Sequence, residues 1–349
     1  MTSEDTQRGR HGRERQATSG LRKALIGLAV FILVLVLGAV GVALGIRQTI
    51  NSEIQHISGA IPTPTAAATP DQSPQSAQPE EQSRPVNILV LGSDSRQSGG
   101  DPTDWQYGAQ RSDVMLLVQI SGDRRHVNAM SIPRDSWVPI PGNGTAKINA
   151  AFSYGGAPLT VQTVQDLTGV AIDHFAVVDF TSFEQMTDQL GGVTIDTVDG
   201  PQQMDGAQAL AFVRERYSLP AGDFDRVRRQ QAWIQAIMAK MFHKDVLASP
   251  GQLNALVQIL LAHSAVDDGL NFDSMVSLGL SLRDLDASGV RFMTAPYAGT
   301  DMSADGQSIV VLDDQRLAAL MQAWRDDTVA DYLARGDTGV QTLESGPIY

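Results

Sequence analysis

Residues 24–46, ALIGLAVFILVLVLGAVGVALGI, hold no charged side chain over 23 positions. A helix of that length spans the roughly 30 Å hydrocarbon core of a bilayer. A cleaved signal peptide has a shorter apolar run and a small-residue cleavage site. Arg8, Arg10, Arg13, Arg15, Arg22 and Lys23 precede the run, against Glu4, Asp5 and Glu14, and few basic residues follow it. The positive-inside rule then makes residues 1–23 a cytoplasmic tail and puts the remainder outside, in a single-pass signal-anchor arrangement at the cell membrane. Any folded core must be built downstream. Residues 47–85, rich in Pro, Ser and Ala from about 59 and ending in QPEEQSRP, offer too little apolar surface to order themselves and predict an extended tether.

Composition removes several chemistries. The formal net charge is −13 and there is no cysteine. A bulk nucleic-acid partner lacks the basic field it needs, and disulfides, thiolate metal sites and cysteine nucleophiles are ruled out. The six histidines are scattered without metal-ligand spacing. No Walker sequence, GxGxxG or GxSxG elbow occurs.

From residue 86 the pattern changes. VNILVLG reads as a buried strand, and RSDVMLLVQI (111–120) and HVNAMSIP (126–133) read as two strands joined by SGDRR, a hairpin-length connection. Residues 147–169 suggest two short helices, with Lys147 opening the first, 171–180 a strand, and 181–192 a helix started at Thr181 and stopped by glycine. GVTIDTV is another strand. Helices follow at 205–212 and from Asp223 or Asp225 to about Lys244, then at 251–264 and 272–283. VRFMTAP and SIVVLD are strands, and 314–326 is a closing helix. This alternation predicts one α/β domain over 86–333, three α/β/α layers around a central mixed sheet, with 334–349 as a C-terminal tail.

Charge concentrates at one end of that sheet. In the hairpin, Arg111 and Asp113 share an edge with Arg134 and Asp135. An antiparallel first strand brings Asp94 and Arg96 to the same place. Five arginines fall between 214 and 229. An extended Arg214–Arg216 pair has both side chains on one face. On the long helix, Arg226, Arg229 and Gln230 share the face of Trp233, Ile234, Ile237 and Met241, while Arg228 turns away to solvent. Singly, these residues also suit plainer roles: a solvated first turn paired with Asp223, Asp225 and Glu215, an Asp113 ion pair, or a turn at Arg96. Together, many cations and two acids are wrong for a glycosidase. They fit a polyanion with a divalent ion, the acids holding the metal and the arginines clamping phosphate oxygens.

LGSDSR, RSDVMLLVQI, SIPRDSWVPIPG, KINAAFSYGG, DFTSFEQMTDQLGGVTID and ALAFVRERY followed by DFDRVRRQQ stand in the order and spacing of the LytR–CpsA–Psr family, which the chain resembles over about 86–240. The resemblance implies an extracytoplasmic phosphotransferase. It would move a glycopolymer from a polyprenyl diphosphate carrier onto peptidoglycan, at the C6 hydroxyl of N-acetylmuramic acid. It implies Mg²⁺ at Asp94 and Asp113, and pyrophosphate held by Arg111, Arg134, Arg214, Arg216, Arg226 and Gln230, with Lys147 and Arg96 at the margin. Asp113, Arg134 and Arg226 are the residues it makes catalytic. A prenyl tail would lie in an apolar tunnel walled by helices after residue 250. Two alternatives remain: a pyrophosphatase acting on polyprenyl diphosphates, and a non-catalytic sensor of lipid-linked wall precursors.

Overall fold

The computed structural model describes residues 55–62, 84–93, 112–215, 219, 223–241, 249, 251–252, 255–256, 258–259, 264–282, 285, 289–343 and 348–349 of the 349-residue chain. The apolar run 24–46 lies outside them. Among the described residues no helix is long and apolar enough to cross a membrane.

Seven strands form the central mixed sheet. In chain order they are β1 (Gln55–Ile57), β2 (Val86–Ser93), β3 (Ser112–Ile120), β4 (Val127–Ser131), β7 (His174–Asp179), β10 (Ser264–Asp267) and β11 (Val290–Thr294). Their spatial order is β1-β10-β7-β2-β3-β4-β11. The antiparallel β2–β3 and β3–β4 pairings follow the hairpin reading of the sequence. β7 pairs parallel with β2, and β11 parallel with β4. Outside the sheet stand three two-stranded ribbons: β5 (Trp137–Ile140) with β6 (Gly144–Lys147), β8 (Val193–Thr197) with β9 (Gly200–Met204), and β12 (Tyr297–Met302) with β13 (Ser308–Leu312).

Helices cover both faces because the inner strands are apolar on both sides. Leu89, Leu91, Met115 and Leu117 point into one cluster with α1 (Ala150–Thr168), α6 (Asp314–Arg325) and α7 (Val329–Ala334). The alternating Ile88, Leu116 and Val118 point the other way, a period of two. That second face holds α2 (Phe180–Gln189), α3 (Gly206–Arg214), α4 (Asp223–Met241) and α5 (Phe272–Ser281). The expected pair of short helices is found: α1 is two helices that meet at a kink at Gly155 and Gly156, where Gly156 takes φ 63° and ψ −153°. Only glycine enters that region readily.

Two expected boundaries are corrected. The tether predicted over 47–85 is interrupted, because Gln55–Ile57 pairs in parallel with β10 inside the sheet. Neither strand carries an apolar run long enough to read as one. The tail predicted over 334–349 is also not free of the domain. Thr294 N donates to Gln341 O at 2.9 Å, Met293 bridges Thr342, and Val198 N donates to Ile348 O at 2.8 Å.

Candidate functional site

β2, β4, β7 and β11 run one way and β3 the other, so four carboxyl ends and the amino end of β3 share one edge. In open α/β sheets ligands bind beyond such carboxyl ends. Asp94 follows the last residue of β2 and Arg111 precedes the first of β3. Asp94, Arg96, Arg111 and Arg216 lie outside the described residues. Gly92 pairs with Val114 but Ser93 pairs with Ser112. Asp113 is therefore the extra residue of a β-bulge. Bulges bend a strand and re-aim its side chains, and they are over-represented beside active sites.

The chain leaves β4 through Ile132 and Pro133 to reach Arg134 and Asp135. The β5–β6 ribbon then carries it out and back, pairing Trp137 with Lys147. Ile148 N donates to Ser136 O at 2.8 Å and Asn149 N to Arg134 O at 3.2 Å, which fixes the return. Lys147 Nζ consequently sits 2.9 Å from Asp135 Oδ1, and Arg134 Nε lies 3.6 Å from Oδ2 of the same carboxylate. All three side chains are 16–23% exposed. A second acid faces Lys147 more distantly. Asp305, between β12 and β13, has its pKa held down by hydrogen bonds from Ser303 and Gln307, with the lysine's charge assisting.

α4 lies against the same strand ends. Gln231 Nε2 donates to Ser131 Oγ at 2.7 Å and to Met293 O at 3.3 Å, joining the helix to the ends of β4 and β11. Trp233 is buried and donates from Nε1 to Thr187 Oγ1 on α2 at 3.0 Å. Arg226 stands in the first turn of α4, and Gln230, one turn on, is buried. Arg214 is the exposed last residue of α3, so it is helical rather than extended, and the chain turns extended only at the cap residue Glu215.

Two arginines depart from their expected places. Arg228, predicted to face solvent, is half-buried and donates from Nη2 to Leu343 O at 3.1 Å. The C-terminal segment covers the side of α4 that the helical phasing left open. Arg229 stacks 3.9 Å over the Phe212 ring and donates to Phe212 O at 2.8 Å and to Tyr349 O. Burial there lowers its pKa, against the raising effect of Glu215 and Asp225. Arg229 thus fastens α4 to the end of α3.

Below this edge an apolar cleft opens between α4 and the sheet. It is narrow and lies between Val90, Val114, Leu116 and Val178 of the strands and Gln230, Trp233 and Ile234 of α4. Its described helical wall is α4. The cleft lies where a strand face meets the apolar side of α4, a junction that helical periodicity alone does not reveal. Among the described residues no group of three or more acids and histidines is arranged to hold a metal ion. Only Asp113 of the two expected metal ligands has its backbone described, and the bulge is the one observation that bears on it.

With this geometry in hand, comparison places the chain. The LytR_cpsA_psr family model matches residues 53–326, and the chain belongs to that family. The match begins at β1, not at residue 86. The chain is 31% identical over 259 residues to the probable cell wall biosynthesis protein LcpB of Corynebacterium glutamicum, covering 69% of this chain and 61% of that one. It is 28% identical to the cell wall biosynthesis protein LcpA of the same organism, over 68% of this chain and 55% of that one. The chain therefore spans little more than half the length of those relatives. It is 29% identical to the polyisoprenyl-teichoic acid–peptidoglycan teichoic acid transferase TagU of Enterococcus faecalis, over 68% of this chain and 78% of that protein. Among solved structures, gbs0355 of Streptococcus agalactiae has the same fold, with a TM-score of 0.60, 23% identity, and 71% and 89% coverage of the two chains. TagT bound to LI-WTA matches with a TM-score of 0.54 and 26% identity over 73% and 94%.

Proposed function

We propose that this chain is a membrane-anchored, extracytoplasmic phosphotransferase that moves a glycopolymer from a polyprenyl diphosphate carrier onto peptidoglycan, with the C6 hydroxyl of N-acetylmuramic acid as acceptor. The observation that carries the reading is one juxtaposition. Arg134 and Lys147 gather on one carboxylate at the sheet edge, beside the bulge at Asp113, and an apolar cleft opens beneath. A charged headgroup with a long apolar tail has this same division. The names of TagU and LcpA fit the reading.

In the proposed reaction the acceptor hydroxyl oxygen attacks the phosphorus bonded to the glycan. The bond from that phosphorus to the bridging oxygen breaks, polyprenyl phosphate leaves, and the hydroxyl proton passes to a base or to water. Negative charge grows on the bridging oxygen and the equatorial oxygens as that bond opens. Arg134, Arg226, Arg111, Arg214, Arg216 and Gln230 would offset it, with Lys147 and Arg96 at the margin. Asp94 and Asp113 are a hard oxygen donor set and would hold Mg²⁺. When bound, the ion supplies charge neutralisation at the pyrophosphate. In this reading Asp113 would also take up the acceptor's proton.

The test is transfer of a lipid-linked glycan to peptidoglycan by the purified chain. Arg134→Ala and Lys147→Met should each lower transfer by about 10²-fold, the scale of losing one preorganised charge. Wild-type rates in both variants would sink the proposal. Release of free glycan phosphate without wall-linked product would establish the pyrophosphatase reading instead.

A further inference from the structure

We propose that Asp135 is a positioning residue that holds Lys147 and Arg134 in register toward the pyrophosphate. The inference rests on the reading of the site above and adds to it a residue that touches neither substrate nor metal. Its two oxygens are divided between the two cations, Oδ1 to Lys147 at 2.9 Å and Oδ2 facing Arg134 Nε at 3.6 Å. One carboxylate therefore sets the separation of two like charges that would otherwise repel.

The carboxylate is itself anchored. Asp135 O accepts Val310 N at 2.9 Å, Ser136 bridges Val310, and Ser136 N closes a turn onto Pro133 O at 2.9 Å. The backbone is thus pinned between the β12–β13 ribbon and the turn after β4. Lysine needs such a partner more than arginine does, because its ammonium is a point charge on a stem of four flexible carbons. The β5–β6 ribbon fixes the backbone of Lys147, and the carboxylate fixes the ammonium at the end of its flexible stem. At 20% exposure the pair is shielded more from water than a surface ion pair, which contributes little. The aspartate leaves one net positive charge among the three groups, so the cluster still attracts an anion.

The experiment is a double-mutant cycle on transfer rate with Asp135→Asn, Lys147→Met and the pair, with thermal midpoints measured alongside. Asp135→Asn should lower kcat on the order of 10-fold, within the range of contacting residues that act together. It should leave KM unchanged or lower, since the site gains positive charge. In the Lys147→Met background the further loss should shrink to less than about threefold. Asp135→Glu should restore part of the rate. A merely structural aspartate would lower the active fraction equally in both backgrounds, so additive losses overturn the proposal, as would an Asp135→Asn enzyme of wild-type rate. If Lys147→Met alone transfers normally, the reading of the site fails first. If Lys147→Met is crippled and the losses are additive, only the role of Asp135 fails.

Discussion

Asp267→Asn tests how the far edge of the sheet is held. Asp267 is buried at the end of β10. Its Oδ1 accepts Gly269 N at 2.8 Å, and its Oδ2 accepts Phe175 N at 3.0 Å with His174 Nδ1 at 3.2 Å. Each oxygen thus serves one backbone donor. In the asparagine variant either orientation of the amide turns its NH₂ toward one of them, so one hydrogen bond to a charged acceptor is lost and one donor is left unmet. Such losses are worth about 1.5–3 and about 1–3 kcal/mol, and because they overlap the expected destabilisation is about 2–4 kcal/mol. At roughly 2–4 °C per kcal/mol in a chain of this size, the thermal midpoint should fall visibly. The pH dependence follows from the folded state. Burial acts to raise the Asp267 pKa, but His174 and the two backbone N–H groups outweigh it and hold the pKa below the ordinary carboxylate value. A depressed folded pKa contributes stability above the unfolded value of about 3.9, and that stability is lost as pH falls through the folded value. Circular-dichroism melts from pH 7 to pH 3 should therefore show the wild-type advantage shrinking below about pH 4. An asparagine variant with the wild-type midpoint at pH 7, or an advantage that does not shrink in acid, would refute the reasoning.

Two further expectations concern the packing around α3 and α4. Arg228→Ala removes the donor to Leu343 O. It should cost about 1 kcal/mol and speed proteolytic cleavage after residue 340, read by mass spectrometry, and unchanged cleavage would return Arg228 to solvent. Gly206→Ala drives a Cβ into Glu184 O where α3 abuts α2. The helices must part, at about 1–3 kcal/mol, and a midpoint within 1 °C of wild type, on the order of the measurement error, would contradict that contact.

The strands that form the floor of the site were legible in the sequence because each is a continuous apolar run buried on both faces. That is why β2, β3, β4 and their pairing follow from the letters alone. β1 and β10 were not legible. QHI and SAVD are three and four residues long and carry a histidine and an aspartate, and the parallel partner of one is far along the chain. SIVVLD reads correctly as a strand, but no local signal tells that it pairs with β12 rather than joining the sheet. Helical phasing put Gln230, Trp233 and Ile237 inward, as found. It failed for Arg228 because a helix wheel contains no information on a segment returning from residue 343. Arg134 and Lys147 were each legible by charge. Their shared carboxylate depends on the β5–β6 ribbon closing in register, which is a tertiary fact.

The parallel pairing of β1 with β10 also dictates an order of assembly. Gln55 pairs with Ala265, 210 residues later (265 − 55). At the usual pace of synthesis, about 5–20 residues per second, the first strand made waits roughly 10–40 s for its partner to exist. Once β10 and β7 are seated beside β2, only residues 58–85 remain to close the loop, at roughly 3 kcal/mol in chain entropy. A long apolar strand held open that long would be a template for pairing with other chains. Three residues, two of them polar, make a poor one. The N-terminal edge thus closes late, with only the β4–β11 seam waiting on a strand made afterwards, and three residues make it a weak seam when the domain is stressed.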